Sequence, residues 1–349
     1  MLRFMLRWGR GGQWAECKES KSPEHSRSCA PTLGVPTDIA VCFATNDHYA
    51  PHAAALIVSI MVNKLPEENL TFYCFSDKLS GEVRQRFREM EQQWKFTLHF
   101  IDIDDSLFQH LPAFHGNRTT YFRLVMVRVL PESLDKILYL DCDMIVLSSL
   151  SELFATDITG KYAATAIEAT SMPHLAPLDL RYPYFNAGMI LFNLKQYRQD
   201  RLEEQAFEFA EKHRDILLFC DQDIFNVVFG GNVIYVPIKW NCIQHHRLTF
   251  FPKVSQGILR MVGRQFSKDY WKQLRAAERQ PCIVHYTLTK PWDGGCNSPL
   301  AREYWNYAPQ TPFYEQVRFS WRRIGRNILN IFSLGSYPIL HYLISIRKR

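Results

Sequence analysis

Lys136-Ile137-Leu138-Tyr139-Leu140-Asp141-Cys142-Asp143-Met144-Ile145-Val146-Leu147 is an apolar run with two carboxylates set into its middle. Its first half is short, apolar and closed by an acid, the pattern of a buried strand that stops at a polar end. In an extended chain, residues two apart point the same way, so Asp141 and Asp143 meet one environment. Two carboxylates in one apolar setting are costly unless a cation compensates them. A divalent metal bound by oxygen ligands, itself bridging the phosphate oxygens of a nucleotide, is the economical reading. The plainer alternatives are a solvated strand end or a cap on Leu147-Ser148-Ser149.

Outward from this run, apolar β-rich segments alternate with helical patterns. Strands are expected at 39–44, 70–75, 96–103, 136–140 and 184–194, and helices at 51–62, 80–93, 120–130 (ended by Pro131) and 195–213, with another begun by Asp221. Such alternation predicts a largely parallel α/β sheet with helices on both faces. Sheets of this kind take ligands at the carboxyl ends of their strands. Three polar clusters fall at such ends: Asn46-Asp47-His48, residues 102–105, and Asp141-Cys142-Asp143.

The 349 residues are 47% hydrophobic and 22% charged, which excludes disordered, collagen-like and low-complexity classes. Nine cysteines without a C-x-x-C pair argue against a disulfide framework or a structural zinc site, so a reduced, intracellular protein is expected. The net charge of +6 belongs to the ends. Seven basic residues and no acid follow Glu315, residues 1–36 carry a surplus of three, and the body between is left at −4. A basic groove for nucleic acid would need its charge on the folded body, so no nucleic-acid partner is expected. Residues 1–36 lack the uninterrupted apolar core of about 7–15 residues of a signal peptide and read as a disordered extension. A catalytic domain is expected at 37–295 and a helical, basic and aromatic region at 296–349.

Five short motifs stand in fixed order: Tyr139-Leu140-Asp141-Cys142-Asp143, Phe185-Asn186-Ala187-Gly188, Asp221-Gln222-Asp223, His285-Tyr286 and Lys290-Pro291-Trp292. Together, over residues 38–314, they resemble glycosyltransferase family 8, and most closely its bacterial lipopolysaccharide glucosyl- and galactosyltransferases. The resemblance implies the GT-A nucleotide-sugar-binding fold, an α/β architecture with a Rossmann-like mixed sheet flanked by helices. It also implies a UDP-hexose donor and a divalent metal. Asp141, Asp143 and His285 would hold manganese, or magnesium, since manganese accepts mixed oxygen and nitrogen ligands. Taken alone, His285 reads as a core histidine bonded to a carbonyl.

By the same resemblance Lys290 would meet the diphosphate as a point charge; alone it is a solvated lysine. Thr287-Leu288-Thr289 departs from the family, which usually has a glycine here and a slightly longer spacing to the lysine. Ala44, Asn46, Asp47, His48 and Tyr49 match the loop that holds uridine and ribose, where Asn46 would accept the uracil imide proton. Asp47 reads equally as a cap on the following helix. Cys142, between the metal-binding acids, joins the nucleotide-sugar set. Arg123 would reach the donor sugar or its phosphate, or else serve a structural salt bridge. Asn186, Ala187 and Gly188 would contact the sugar, glycine allowing close backbone approach; a strand bulge is the other reading.

Asp221 and Gln222 would lie beside the anomeric carbon, Asp221 doubling as a helix N-cap. A double-displacement mechanism needs a carboxylate nucleophile about 5 Å from an acid. Gln222 stands in the matching position and is a poor nucleophile, so front-face displacement with retention is expected.

Trp321, Ile324, Ile328, Ile331 and Phe332 share one face of a helix, with Arg322, Arg323, Arg326 and Asn330 opposite. This is an interfacial amphipathic pattern. Residues 318–349 are therefore expected to attach to an anionic membrane surface, the cytoplasmic face of the inner membrane. The function expected is hexose transfer from UDP-glucose or UDP-galactose to a saccharide or glycolipid acceptor, foremost the lipopolysaccharide core. Alternatives are a protein, polysaccharide or cell-wall acceptor, self-glucosylation on a tyrosine, and a non-catalytic nucleotide-sugar-binding protein.

Overall fold

The computed structural model describes residues 38–113, 118–168, 177–243, 268–287, 290–293, 296 and 298–318. The expected N-terminal extension, the amphipathic tail from residue 319 onward and residues 245–267 lie outside them. Among the described residues no helix is long and apolar enough to cross a membrane.

Strand β1 (Asp38–Ala44) shows how the sheet is covered on both faces. Ile39, Val41 and Phe43 enter one apolar core, while Ala40 and Cys42 enter a second on the opposite face. This is the two-fold alternation of a strand buried on both sides. β1 pairs in parallel with β2 (Asn69–Ser76) and with β4 (Lys136–Leu140), and β2 pairs in parallel with β3 (Thr97–Asp102). The remaining strands are β5 (Met144–Val146), β6 (Ala163–Ile167), β7 (Phe185–Asn193), β8 (Val233–Tyr235), β9 (Cys242–Ile243) and β10 (Ile283–His285). A seven-stranded sheet runs β3-β2-β1-β4-β7-β6-β8, and a three-stranded sheet runs β5-β10-β9. Because β7 is antiparallel to both β4 and β6, the large sheet is mixed. The strand order reverses between β1 and β4, the place where open α/β sheets form their ligand crevice.

Helices α1 (Ala50–Asn63) and α2 (Gly81–Trp94) cover the first face. Val83, Phe87 and Met90 make the buried stripe of α2, and the Ser80 side chain accepts from Val83 N to cap it. Residues 120–130, expected to be one helix, instead form a 3₁₀ segment, Thr119–Val125, followed by the short α3 (Met126–Val129). Five consecutive side chains, Tyr121 to Val125, are buried there. The tighter turn also eclipses Thr120 with Arg123, so that both face the same carboxylate.

After the short α4 (Ser151–Phe154), the helix expected at 195–213 is split into α5 (Leu194–Gln199) and α6 (Leu202–His213). Tyr197 and Leu202 both point into the core but lie five positions apart, which a 3.6-residue repeat does not bring onto one line. The break at Arg201, with φ 53°, realigns the stripe to Leu202, Ala206 and Ala210.

Helix α7 (Asp221–Val228) is fastened to β7 by one amide. Asn226, fully buried, accepts from Phe185 N at 2.9 Å and donates to Phe185 O at 2.9 Å and to Gln222 O at 2.8 Å. It therefore fixes the height of Gln222 against the start of β7. Asn226→Ala would leave the Phe185 amide and carbonyl buried without partners, at roughly 1–3 kcal/mol for each orphaned group. The expected result is a chemical-denaturation midpoint well below that of the wild type; an unchanged midpoint would contradict this role.

Candidate active site

Asp141, Cys142 and Asp143 form the turn by which the chain leaves the large sheet and enters the small one. The strand ends at Leu140 as expected, but the carboxylates, expected to share a direction by extended-chain alternation, are brought together by the turn instead. Each side of the turn is stitched down. Asp141 N donates to Gly188 O at 2.8 Å in the large sheet, and Tyr286 N donates to Asp143 O at 3.0 Å in the small one. The antiparallel register of β5 and β10 sets His285 opposite Met144, one residue beyond Asp143.

Arg123 is buried behind Asp141. Its Nη2 donates to Asp141 Oδ1 at 2.8 Å, its Nη1 to Ala187 O at 2.5 Å and its Nε to Thr120 O at 3.1 Å. Nε also lies 3.1 Å from Asp221 Oδ2, and the guanidinium sits 3.8 Å above the Tyr139 ring centroid. Thr120 Oγ1 donates to Asp221 Oδ1. Burial opposes the guanidinium charge, and the two carboxylates more than restore it. Burial also pushes the Asp221 carboxyl from its ordinary 3.8 up to about 6, against the opposing pull of Arg123. Just before Asp221, Cys220 adopts φ 49°, a left-handed backbone that turns α7 so that its first acid faces inward.

Asp143 has a different cation. Lys290 Nζ ion-pairs with Asp143 Oδ2 and donates to Tyr286 O at 2.6 Å and Thr287 O at 3.3 Å. The shorter spacing from His285 thus still brings the ammonium to Asp143. Burial opposes ionisation of Asp143, but the Lys290 ammonium beside it outweighs the burial and holds the carboxyl below the usual range. Two positions on from Lys290, Trp292 stacks on His52 of α1 with ring centroids 3.5 Å apart. His52 Nδ1 lies 2.8 Å from Tyr304 Oη of the Ala301–Tyr307 helix.

Asp141, Asp143 and His285 offer ligand atoms that all lie within 4.8 Å of one another. His285 Nε2 is 3.2 Å from Asp143 Oδ1 and 3.8 Å from Asp141 Oδ2. Asp143 Oδ1 is buried without a hydrogen-bond partner among the described residues. A buried carboxylate oxygen held without a donor beside an imidazole nitrogen is what a cation site requires. The residues present fit a divalent metal with oxygen and nitrogen ligands.

Opposite the cluster, the start of β7 meets α7. Gln222 Oε1 accepts from Asn186 Nδ2 at 3.0 Å and from Ala187 N at 2.9 Å, and Gln222 Nε2 donates to Tyr184 Oη at 3.0 Å. Tyr184 Oη donates to Asp223 Oδ1 at 2.6 Å. Gly188 has a use beyond close approach of a ligand. A Cβ there would overlap His285 Cε1 and lie 2.8 Å from Asp141 Oδ2 and 2.9 Å from Asn186 Oδ1. The missing side chain is the space into which the His285 ring packs.

The loop after β1 borders the same crevice. Asn46, rather than Asp47, makes the turn into α1, its Oδ1 accepting from Tyr49 N at 3.0 Å. Asp47 is exposed and accepts from Ser80 N at 3.0 Å, tying this loop to the start of α2. His48 is exposed, and its ring meets Tyr49 edge-on at 5.7 Å. Cys142 Sγ donates to Ala44 O at 3.1 Å, which joins the β1 and β4 strand ends.

The structure therefore gathers Asp141, Asp143, His285, Lys290, Arg123, Asp221, Gln222, Asn186, Ala187 and Gly188 around one seam. Ala44, Cys142, Asn46 and Tyr49 stand at its border, with Asp47 and His48 the exposed members of the same loop. Sequence reasoning missed Thr120, Tyr184 and Asn241. Asn241 lies between Trp240 and Cys242, and its one signal is an amide inside an otherwise apolar approach to β9.

With this geometry in place, the comparisons define the class. Residues 40–296 match the model of glycosyl transferase family 8, and the chain belongs to that family. General stress protein A of Bacillus subtilis is 24% identical over 292 residues, covering 82% of this chain and 95% of that protein. A lipopolysaccharide 1,2-glucosyltransferase of Escherichia coli is 27% identical over 292 residues, covering 80% and 81%. The crystal structure of the galactosyltransferase LgtC, in complex with donor and acceptor sugar analogs, superposes with a TM-score of 0.68 at 23% identity. It spans 82% of this chain and 99% of that one, and the architecture is the GT-A transferase fold.

Two expectations test the site as built. Since the Asp221 carboxyl is raised to about 6, its buried charge costs stability that is absent below the unfolded value and grows as pH rises through the folded one. The stability of Asp221→Asn relative to wild type is therefore expected to improve by roughly 1 kcal/mol between pH ~5 and ~8, read from denaturant melts. A difference independent of pH would contradict the assignment. Gly188→Ala is expected to stay folded by circular dichroism yet bind manganese at least about tenfold more weakly by paramagnetic resonance. Wild-type affinity would show that His285 has room to spare.

Proposed function

We propose that this protein is a metal-dependent, retaining hexosyltransferase that moves glucose or galactose from a UDP-sugar to a saccharide acceptor, foremost the lipopolysaccharide core. The observation that carries the reading is the orphaned Asp143 Oδ1 at the centre of the Asp141–Asp143–His285 cluster, with Lys290 beside it. The lipopolysaccharide glucosyltransferase among the relatives supports the acceptor class.

Asp141, Asp143 and His285 would hold the metal. When bound, it would supply a Lewis-acid counter-charge to the donor's diphosphate. Lys290 adds a second positive charge on the same side and exchanges its partner Asp143 for the phosphate as the donor binds. Asn46, Asp47 and Tyr49, with Ala44, His48 and Cys142, border the uridine side. Arg123, held by Asp141 and Asp221, keeps the strand end at Ala187 fixed beside the sugar.

Gln222 does not act as a nucleophile, for it is an amide whose oxygen already takes two N–H bonds. This favours displacement on one face. The bond from the anomeric carbon to the diphosphate oxygen breaks as the acceptor oxygen bonds to that carbon. The departing diphosphate takes the acceptor's proton. Asp221 and the Gln222 dipole steady the positive charge that builds on the sugar. Residues 296–349, with the basic tail they contain, would bring this domain to the cytoplasmic face of the inner membrane and so to a lipid-linked acceptor.

The test is UDP release with UDP-glucose and UDP-galactose offered separately, with and without manganese, in the presence of a truncated core glycolipid. Manganese-dependent turnover with one donor is expected, with a loss of about 10²-fold or more in Asp143→Ala. No turnover with either donor would overturn the transferase reading.

A further inference from the structure

Asn241 sits in the 3₁₀ turn Ile238–Asn241 directly before β9, and it is as deeply buried as His285, each only 2% exposed. Its amide lies between two others in the site. Asn241 Oδ1 is 3.0 Å from His285 Nδ1, and Asn241 Nδ2 is 3.0 Å from Asn186 Oδ1.

Amide orientations and imidazole tautomers have to be inferred from their partners, and here the partners leave one solution. A backbone N–H only donates. Gly188 N, at 2.9 Å, therefore fixes the acceptor end of Asn186 as Oδ1. The Glu168 carboxylate, 2.9 Å from Asn186 Nδ2, fixes the other end as the donor. Ala187 N does the same for Gln222, fixing Oε1 as the atom that faces Asn186 Nδ2. With Asn186 Oδ1 facing it, Asn241 must present its NH₂ to Asn186 and its oxygen to His285. An oxygen there requires a hydrogen on Nδ1. In the neutral imidazole Nε2 is then bare, and Nε2 is the nitrogen that faces Asp143 Oδ1 and Asp141 Oδ2.

We propose that Asn241 is a positioning residue that holds His285 in the Nδ1–H tautomer, so that its unprotonated Nε2 is aimed into the Asp141–Asp143 cluster, and that links this ligand through Asn186 to Gln222. The proposal rests on the reading of Asp141, Asp143 and His285 as a metal set. Its reach is a ligand whose tautomer is set by two backbone amides of β7, on the donor-sugar side. Asn241→Leu removes the acceptor and frees the imidazole to take the other tautomer. Asn241→Asp keeps an acceptor for Nδ1–H, in the manner of the carboxylate–histidine pairs that support many metal sites.

The experiment uses the full chain without nucleotide. Nitrogen-15 NMR of histidine-labelled protein in mildly alkaline, metal-free buffer reads the His285 tautomer, with His285→Gln assigning the signal. Manganese titration followed by paramagnetic resonance reads affinity. Wild type and Asn241→Asp are expected to show Nδ1–H and affinities within about threefold of each other, and Asn241→Leu a loss of about 10- to 100-fold with the Nδ1–H signature gone. An Nε2–H tautomer in the wild type overturns the proposal without recourse to any variant, as does wild-type affinity in Asn241→Leu. If the wild type binds no manganese, the metal reading fails, while the tautomer is still decided by the NMR signal.

Discussion

Three carboxylates, Asp141, Asp143 and Asp221, are drawn into the seam between two sheets, where, among the described residues, two full cations, Arg123 and Lys290, meet them. Withdrawing carboxylates from water is tolerable only where each finds a partner. Arg123 answers two of them from inside the protein, and Lys290 answers the third from its mouth. One oxygen of Asp143 and one nitrogen of His285 are left facing each other. The shortfall of positive charge sits where two strand systems meet and where the strand order of the large sheet reverses. A divalent cation bound there would supply the missing positive charge and leave it a side open to a diphosphate, which is why the geometry suits a nucleotide-sugar transferase.

Around this electrostatic core a chain of amides carries the support, with Glu168 and Asp223 bonded at its edge. Asn226 locks α7 to β7, Gln222 and Asn186 bridge the two elements, and Asn241 carries the contact on to His285. Neutral donors and acceptors of fixed direction hold a geometry without adding to the charge of the seam. A front-face displacement asks for this kind of surface, because its nucleophile and its base come from the two substrates and the protein mainly has to orient them. The empty Cβ position of Gly188, filled by the His285 ring, shows how closely the two halves are fitted.

Much of this was legible in the chain. The strands β1, β2, β4 and β7 and the helices α1 and α2 follow from apolar periodicity, with bounds displaced by a residue or so. The acids Asp141 and Asp143 announce themselves by interrupting an apolar run. What periodicity does not carry is the turn between them, because two-residue spacing in an extended chain would also point both acids the same way. The break at Arg201 is visible only once Tyr197 and Leu202 are both known to be buried, and the 3₁₀ turn at Arg123 answers to a carboxylate almost a hundred positions away. Asn46 in place of Asp47 at the start of α1 was a choice between adjacent residues of similar capping strength. Asn241 was hidden for a different reason: its importance lies in the direction of its hydrogen bonds, which a sequence does not record.

The central claim is that the seam binds a divalent cation through Asp141, Asp143 and His285. Anomalous diffraction from crystals of the full chain grown with manganese and UDP tests it most directly. A single strong manganese peak within coordination distance of Asp143 Oδ1, Asp141 and His285 Nε2, with the diphosphate beside Lys290, is the expected result. Ordered UDP without a manganese peak there, or manganese bound elsewhere on the protein, would contradict it.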